Sequence, residues 1–493
     1  MIIPYFFRNI VPRKEQRTGQ KPLLAVLAGL TWIQWAHFFT GWLAWTCDNI
    51  DFYSVPLSVN ALQVEFNKST TEITTTITLT LLFRAVGAVI FGILSDRFGR
   101  KWPLVINLVL LSVLQLGAGF SQTFKQFLAL RALFGVLMGG IWGLASATAL
   151  ENLPVEVRGL ASGVVQQGYA VGALLAGCIN LTLVPDTKTG WRSLFWTGSG
   201  ISLFAAFCRA ALPESEVFLR ARAAEKARGT DSAGRTRVFL KETKMMLKRH
   251  WLLCIYAVLF ASGFNFMSHG THDLYPTYLQ VSKNFSTHNA TVSTIIGNCG
   301  ALVGGVVAGM TSQRIGRRLT IALFACIVAA FIPLWTIPMS FSALSVGAFC
   351  IQFGVQGLIG VVPVYLTEIS PPGFRATFPG VTYQLGNMAS SATSQIEATG
   401  GENLRTTIVK NGELTNIPDY AKVQGIVVGA AVAFVVIIIM IGPEKHALRF
   451  EKHKAAFEEG AGQEDVFDLE DNHGEKDSSS SRPVSLEGEK GKV

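Results

Sequence analysis

The chain alternates between long apolar stretches and short polar or charged segments. A helix needs about 20 apolar residues to cross the hydrocarbon core of a bilayer. Twelve stretches reach that length, at about 36–58, 74–96, 102–121, 126–149, 158–182, 191–212, 251–280, 292–312, 318–338, 343–366, 376–396 and 422–442. Ahead of them, residues 23–33 predict a short interfacial helix. The pattern therefore predicts an all-α polytopic membrane protein with twelve transmembrane helices.

Two motifs occur twice, and the copies of each are 217 residues apart. Gly92-Ile-Leu-Ser-Asp96-Arg97-Phe-Gly99-Arg100-Lys101 follows the second stretch, and Gly309-Met-Thr-Ser-Gln313-Arg314-Ile-Gly316-Arg317-Arg318 follows the eighth. Glu151-x-x-Pro154-x-x-x-Arg158 returns as Glu368-x-x-Pro371-x-x-x-Arg375. Repetition at one spacing indicates two pseudo-symmetric six-helix halves, which we place at residues 36–212 and 251–442.

Three segments lie outside the two halves: residues 1–35, 213–250 and 443–493. We expect a cytosolic N-terminal segment, a cytosolic central loop and a disordered cytosolic tail, because the tail is too polar to bury a core. The acidic tail carries Ser478–Ser481. Its composition suits phosphorylation or ubiquitination, with the trafficking machinery as partner, and suits an inert solubilising role equally well.

Charge placement gives the orientation. Charged residues make up 15% of the chain and mean hydropathy is +0.37, whereas a soluble domain carries about 25% charged residues. Before the tail, 24 basic residues fall on the same side as the termini and eight fall on the opposite side. The positive-inside rule therefore places both termini in the cytosol. Glycosylation sequons at Asn67, Asn284 and Asn289 fall on the opposite side, which agrees with this orientation.

Several classes of function are excluded by what the sequence lacks. The basic residues lie in short patches between apolar runs, which is typical of membrane topology and not of nucleic-acid binding. The seven cysteines are scattered and show no disulfide framework or zinc spacing. There is also no nucleotide-binding loop or nucleophile elbow. We therefore expect no enzyme activity, no cofactor, no metal and no nucleic-acid partner.

Four ionisable residues fall inside the predicted spans of the first half: Asp48, Asp51, Arg84 and Arg131. A charge at the bilayer centre costs about 2.5–3.5 kcal/mol on insertion scales, so a functional role is the first hypothesis. Arg84 lies about 20 Å from the cytosolic end of span two and suits an anchor for a carboxylate. A buried structural pair with either aspartate is the alternative. Arg131, nearer the outer mouth, is the second candidate anchor.

Span seven carries a polar stripe. Asn265, His269, Asp273 and Thr277 recur at every fourth residue and therefore share one helix face. Asp273 can stabilise a proton on His269, so the two form a candidate proton-exchange pair. A histidine that only bonds a neighbouring helix is the alternative. Ser268 lies beside this stripe, and Asp48 and Asp51 are further candidates for carrying the proton.

The repeated motifs resemble those of the Major Facilitator Superfamily. The segment from Gly92 to Lys101 resembles the superfamily's G-x-x-x-D-R-x-G-R-[RK] loop, and Arg131-Ala-Leu-Phe-Gly135 resembles its signature on helix four. The resemblance implies two rocking halves, with a charge network that breaks as they move. Gln313 replaces the acid in the second copy, so we expect that copy to latch less strongly. The residues assigned to gating are Gly92, Asp96, Arg97, Arg100, Arg131, Glu151, Arg158, Glu368 and Arg375.

Within that superfamily, span seven resembles the N-x-x-[ST]-H-x-[ST]-Q-D-x-x-x-T signature of fungal Jen-type lactate and carboxylate permeases, of the sialate:H⁺ symporter branch. The one departure is His272, where that family has Gln. The resemblance extends to Gln384 and Asn387 on span eleven, which in such permeases face the substrate. It implies a plasma-membrane proton symporter for lactate, pyruvate and acetate.

These observations predict import of a small carboxylate with protons by alternating access. Arg84 would pair with the carboxylate, and Asn265, Ser268, His269, Gln384 and Asn387 would donate or accept hydrogen bonds. His269 and Asp273, with Asp48 or Asp51, would carry the proton. Transport of a dicarboxylate such as succinate or malate, of sialate or of a sugar remains open on the same fold. A non-transporting nutrient sensor is a further alternative.

Overall fold

The computed structural model describes residues 23–68, 70–186, 189–215, 218–219, 232–371, 374–375, 377–410 and 413–445. The predictions for residues 1–22 and for the tail beyond Lys445 lie outside the described residues. The structure is almost entirely helical, as predicted.

The helices of the N-terminal half follow one another closely. They are α1 (Leu23–Ala28), α2 (Trp32–Phe66), α3 (Thr70–Phe98), α4 (Lys101–Gly119), α5 (Phe124–Leu150), α6 (Val155–Gln166), α7 (Gly168–Asp186) and α8 (Arg192–Ala211). A short helix, α1, lies within the predicted segment 23–33 but ends at Ala28, and its interfacial position stays a prediction. Helix α2 continues through Pro56 for 35 residues, and α6 and α7 together form the fifth span.

The C-terminal half repeats this order. After α9 (Ser232–Arg249), which lies in the predicted central loop, come α10 (Trp251–His272), α11 (Tyr275–Val281), α12 (Thr287–Ile315), α13 (Arg317–Thr336), α14 (Phe341–Ile369), α15 (Thr377–Ser390), α16 (Thr393–Asn403) and α17 (Tyr420–Ile441). Span seven is α10 with α11, which begins just before Pro276 because proline suits the first turn of a helix. Span eleven is α15 with α16.

Ten spans are long and apolar enough to cross a membrane within the described residues. Helix α2, which carries two buried aspartates, and the interrupted pair α15–α16 are not among the ten and complete the set of twelve. The predicted two-half, twelve-span fold is confirmed.

The last loop between spans contains a β-hairpin that the hydrophobic pattern does not predict. Strands β1 (Arg405–Lys410) and β2 (Glu413–Pro418) pair antiparallel, with Arg405 opposite Pro418. The sequence Thr-Thr-Ile-Val in β1 is rich in β-branched residues, which favour strands. We call this end of the bundle the hairpin end. The opposite end, with the loops at Gly99 and Gly316, is the motif end.

The two halves meet closely near the motif end, where small residues let helices approach. A Cβ on Gly159 of α6 would lie 2.8 Å from the carbonyl oxygen of Gly309 in α12. Ser162 Oγ donates a 2.8 Å hydrogen bond to the carbonyl of Gly360 in α14. Close packing of this kind stabilises pairs of helices in a bilayer, where the lipid provides no hydrophobic driving force for their association.

Candidate functional site

A buried ion pair lies in the middle of the N-terminal half. Arg84 Nη2 on α3 is 3.3 Å from Asp48 Oδ2 on α2, and both residues are buried. Asp48 Oδ1 and Arg84 Nε have no hydrogen-bond partner among the described residues. The guanidinium also lies 5.9 Å from the ring centroid of Phe52. Because the pair is joined by one contact and keeps free hydrogen-bonding capacity, Arg84 can receive a second oxygen ligand.

A second polar group comes from the C-terminal half. His269 Nδ1 is 3.1 Å from the Asp273 carboxylate, and His269 Nε2 is 3.2 Å from Asn387 Oδ1 on α15. Asn387 Nδ2 in turn donates to Gln384 Oε1 at 3.1 Å. Gln384 Nε2 has no partner among the described residues. The predicted stripe of span seven is therefore linked to span eleven by hydrogen bonds.

These two polar groups face each other across the boundary between the halves. The charge of Arg84 acts on His269 of α10 and on Tyr383 of α15. Asp273 is exposed, whereas Asp48 is fully buried. Solvent therefore reaches the His269 side of the site more readily than the Asp48 side.

The other residues predicted on span seven contribute less to this network. Asn265 is buried and donates to the carbonyl of Ala261 in its own helix at 2.9 Å. Ser268 is partly exposed beside His269. The side chain of Thr277 lies outside the described residues.

Asp51 and Arg131 form hydrogen bonds with other residues of the N-terminal half, although their charges also act on Asp48. Asp51 Oδ2 accepts a 2.7 Å hydrogen bond from Ser202 Oγ on α8. Arg131 Nη1 donates to Gln115 Oε1 at 3.0 Å, and its guanidinium lies 4.0 Å from the ring centroid of Phe134. The structure thus places Asp48 with Arg84, but it directs Asp51 and Arg131 towards α4 and α8.

An aromatic layer closes the site towards the motif end. Tyr383 stacks on Trp142 of α5 at 4.3 Å between ring centroids. Its ring is also 5.9 Å from that of Phe264 and 6.3 Å from that of Trp45. Tyr383 lies one helical turn, about 6 Å, before Asn387 on α15. The layer joins both halves, and none of its members is among the site residues predicted from the sequence.

A second aromatic layer lies towards the hairpin end. The hydroxyl groups of Tyr53 on α2 and Tyr169 on α7 are 2.6 Å apart. The ring of His272 on α10 is 6.0 Å from each tyrosine ring. The residue that departs from the Jen-type signature thus takes part in the contact between the halves.

The repeated motifs form one buried ion pair in each half. Arg100 Nη2 is 2.9 Å from Glu151, and Arg317 Nη2 is 3.0 Å from Glu368. Each pair joins the loop after the second helix of its half to the end of the fourth. The second copy thus contains the corresponding ion pair at a similar separation, whereas the weaker latch expected from Gln313 in place of Asp96 stays a prediction.

Two further acids, which were not predicted from the sequence as site residues, accept hydrogen bonds from backbone N–H groups at the motif end of each half. Glu214, after α8, accepts from the backbone N–H of Arg100 and of the next residue at 3.0 Å. Glu444, after α17, accepts from Arg317 and the next residue at 3.0 and 2.9 Å. Burial raises the pKa of Glu444 to about 7, although the two backbone N–H groups oppose this shift. A Pro-Glu dipeptide after the last span of each half was the available signal.

The remaining residues assigned to gating also lie near the motif end. Gly92 faces Thr377 of α15, and the Arg97 guanidinium lies 4.7 Å from the ring centroid of Phe98. Arg158 Nε donates to the carbonyl of Leu153 at 2.9 Å. Arg375 is buried. The side chain of Asp96 lies outside the described residues, so its predicted place in the network stays a prediction.

The sequence and fold of this chain are similar to those of known membrane transporters. Residues 9–394 match the model of the Major Facilitator Superfamily. A carboxylic acid transporter protein homolog of Saccharomyces cerevisiae is 34% identical over 85% of the chain and 70% of its own length. A cis,cis-muconate transport protein of Acinetobacter baylyi is 29% identical over 74% of the chain and 87% of its own length. A crystal structure of a double-tryptophan mutant of XylE matches with a TM-score of 0.65 at 19% identity, covering 85% of the chain and 98% of XylE, which shows a shared fold.

Proposed function

The chain belongs to the Major Facilitator Superfamily, and from that premise we propose that it imports small carboxylic acids together with protons by alternating access. It is a multi-pass membrane transporter and not an enzyme. Support comes from the fold, from the named activities of its relatives and from the chemistry of the site.

The observation that carries this proposal is the incomplete pair of Arg84 with Asp48. A substrate carboxylate can replace Asp48 on the guanidinium, because arginine binds a carboxylate through two parallel hydrogen bonds. Asp48 would then be left as a buried anion, which is unfavourable unless it takes up a proton. Exchange of one carboxylate for another at Arg84 therefore binds one substrate and one proton with no change in net charge.

The C-terminal half supplies the other side of the substrate. Gln384 has a free Nε2 group, and Asn387 is bonded to His269. Both amides can bond the hydroxyl or keto oxygen of a short acid. Asp273, exposed and 3.1 Å from His269, offers a path by which a proton from solvent reaches the site.

Proton coupling follows from the membrane potential. A monoanion that enters an inside-negative cell is opposed by about 2.3 kcal/mol per 100 mV. One cotransported proton cancels the charge and adds the pH gradient as driving force. A protein that accumulates carboxylates therefore needs groups that bind and release a proton, and Asp48, His269 and Asp273 are such groups.

The distribution of basic residues supports an orientation in the membrane, and the contacts between the halves support a conformational state. From the excess of basic residues we propose that the motif end and both termini lie in the cytosol, and that the membrane is the plasma membrane. The halves are in close contact at the motif end, so we propose that the structure is a state closed at the motif end. The two aromatic layers then act as inner and outer barriers to the site.

We propose monocarboxylates such as lactate, pyruvate and acetate as substrates. Arg131, the candidate for a second anchor, is bonded to Gln115 within the N-terminal half and forms no ion pair with Asp48 among the described residues, although its charge acts on that carboxyl group. A dicarboxylate is the second candidate, favoured by the similarity to a muconate transport protein, since muconate carries two carboxylates.

Uptake of labelled lactate, succinate and glucose in a transport-deficient host tests the proposal. We expect saturable lactate uptake that a protonophore abolishes, weaker succinate uptake and no glucose uptake. Succinate uptake that exceeds lactate uptake would favour the dicarboxylate assignment. Accumulation that is insensitive to the protonophore would exclude proton coupling.

A further inference from the structure

Glu397 on α16 is a buried acid outside the site described above. It is 0% exposed. Its Oε2 atom accepts a 3.4 Å hydrogen bond from Gln424 Nε2 on α17, whereas Oε1 has no hydrogen-bond partner among the described residues. Gly270 of α10 faces it, and a Cβ on Gly270 would lie 3.1 Å from Oε1. A glycine on span seven thus leaves the room that this carboxyl group occupies.

Within the described residues, no Lys, Arg or His forms an ion pair with Glu397. An unpaired carboxylate buried in an apolar medium is so unfavourable that the group takes up a proton instead. Its one partner suits such a group. The side-chain amide of Gln424 can donate to an ionised carboxylate and, after rotation, accept from a neutral one.

The ionisable neighbours of Glu397 lie mainly on α10. Asp273 is close enough for its charge to act on Glu397, and His269 and His272 lie within the same two turns of that span. At the start of α17 the nearby ionisable residues are the N-cap Asp419, whose backbone N–H donates to the carbonyl of Gly401 on α16, with Tyr420 and the exposed Lys422. Of the acids on α10 and α17, Asp273 is the one whose charge acts on Glu397. The described side chains of β2, Asn416 to Pro418, are not ionisable. Asp273 is therefore the acid that faces Glu397.

We propose that Glu397 is a further proton-binding residue of the transport cycle, which exchanges its proton with solvent through Asp273. A proton on Asp273 passes to Glu397 Oε1: one O–H bond breaks, one forms, and the negative charge moves to Asp273. That transfer is favoured while α16 is packed against α10 and α17. The negative charge then moves from the buried Glu397 to the exposed Asp273, which lies beside His269. Separation of α16 from these helices exposes Glu397 to water and reverses the transfer.

This inference rests on the proposed proton-coupled transport and adds a proton site that the Arg84 and His269 groups do not contain. It also suggests a role for the interruption of span eleven between α15 and α16. Asn387 and Gln384 lie on α15, whereas Glu397 lies on α16, so protonation of Glu397 stabilises one position of α16 without altering the amides at the substrate.

The test compares Glu397→Gln with the wild type in three assays: uphill accumulation of lactate, exchange of lactate down its gradient, and the pH profile of uptake. The amide imitates the neutral acid in shape, so we expect exchange within about twofold of wild type. Accumulation should fall to equilibration with the medium, and the pH profile should flatten. Glu65→Gln is the matched control, because Glu65 is a carboxyl group near the hairpin end paired with Arg192 at the surface.

A second variant covers the case in which Glu397→Gln does not reach the membrane. Gln424→Leu removes the donor that stabilises ionised Glu397, so the midpoint of the pH profile should move to higher pH with the maximal rate kept. Wild-type accumulation and pH profiles in both variants, or in whichever reaches the surface, would overturn the inference. Failure of the wild type itself to accumulate lactate in a protonophore-sensitive way would instead overturn the proposed function.

Discussion

The two halves of the molecule share a scaffold but differ in their buried chemistry. At the motif end each half has the same parts: an Arg–Glu ion pair and an acid that accepts from two backbone N–H groups. In the interior Gln167 still corresponds to Gln384, but the charged and titratable residues of the site have no counterpart of the same type. At the motif offset of 217 residues, Asp48 corresponds to Asn265, Phe52 to His269 and Arg84 to Ala301. The N-terminal half has the charged pair, and the C-terminal half has the imidazole and the amides.

This difference indicates a division of labour. The parts that must move together are duplicated, because the motion of one half mirrors that of the other. The charged and titratable residues that we propose for the substrate carboxylate and the proton are not duplicated, because a small asymmetric acid has one carboxylate. We therefore expect substitution of Arg84 to affect mainly substrate binding and substitution of Asp273 to affect mainly proton coupling.

The largest effect should come from Arg84→Lys. An ammonium cannot form the two parallel bonds of a guanidinium, and loss of a charged hydrogen bond of about 1.5–3 kcal/mol corresponds to a loss of about 10- to 100-fold in uptake. Initial rates of lactate uptake, normalised to surface protein, measure this. Arg131→Lys is the matched control in the same half. Normal transport by Arg84→Lys would make that arginine structural.

Asp273→Asn tests the other side of the comparison. Loss of the carboxylate removes the charge that holds a proton on His269, so uphill accumulation should fail. Exchange of lactate down its gradient should continue, since the amide keeps the shape of the site. Asp51→Asn is the control, because that acid faces Ser202 inside the N-terminal half. Accumulation at the wild-type level by Asp273→Asn, abolished by a protonophore, would remove the His269–Asp273 pair from the mechanism.

The sequence predicts the fold well because hydrophobic length and an exact repeat spacing are local signals. It predicts the His269–Asp273 contact for the same reason, since both residues lie on one helix face. It does not predict which aspartate pairs with Arg84, because that depends on how α2 is rotated about its axis. Nor does it reveal Glu397, which is one of two acids in the polar segment of α16 and becomes notable only through burial against Gly270.

Glu444→Gln should have a smaller effect, confined to stability. Burial raises the Glu444 pKa to about 7 from the ordinary value of about 4.5. The stability gained by burying the neutral acid is complete below the ordinary pKa and is lost as the pH rises through about 7. The melting temperature of the wild type should therefore fall by a few degrees more between pH 5 and pH 8 than that of Glu444→Gln.

Glu214→Gln is the matched control for this comparison, because Glu214 makes the corresponding contacts in the N-terminal half. An equal change of pH dependence in both variants would show that the motif ends of the two halves respond alike. No change in Glu444→Gln would show that its burial does not contribute to the pH dependence of stability.

The smallest effect is expected from His272→Gln, which restores the residue of the Jen-type signature at the boundary between the halves. His272 contacts Tyr53 and Tyr169 through ring packing, and an aromatic pair contributes about 0.5–1.5 kcal/mol beyond its buried area. Loss of that packing should change the apparent affinity for lactate by roughly two- to tenfold, with the maximal rate kept. Tyr53→Phe, which removes only the 2.6 Å hydroxyl contact, separates ring packing from hydrogen bonding. A collapse of the maximal rate in His272→Gln, with normal surface levels, would mean that the imidazole takes part in proton transfer and that the outer layer belongs to the coupling site of the C-terminal half.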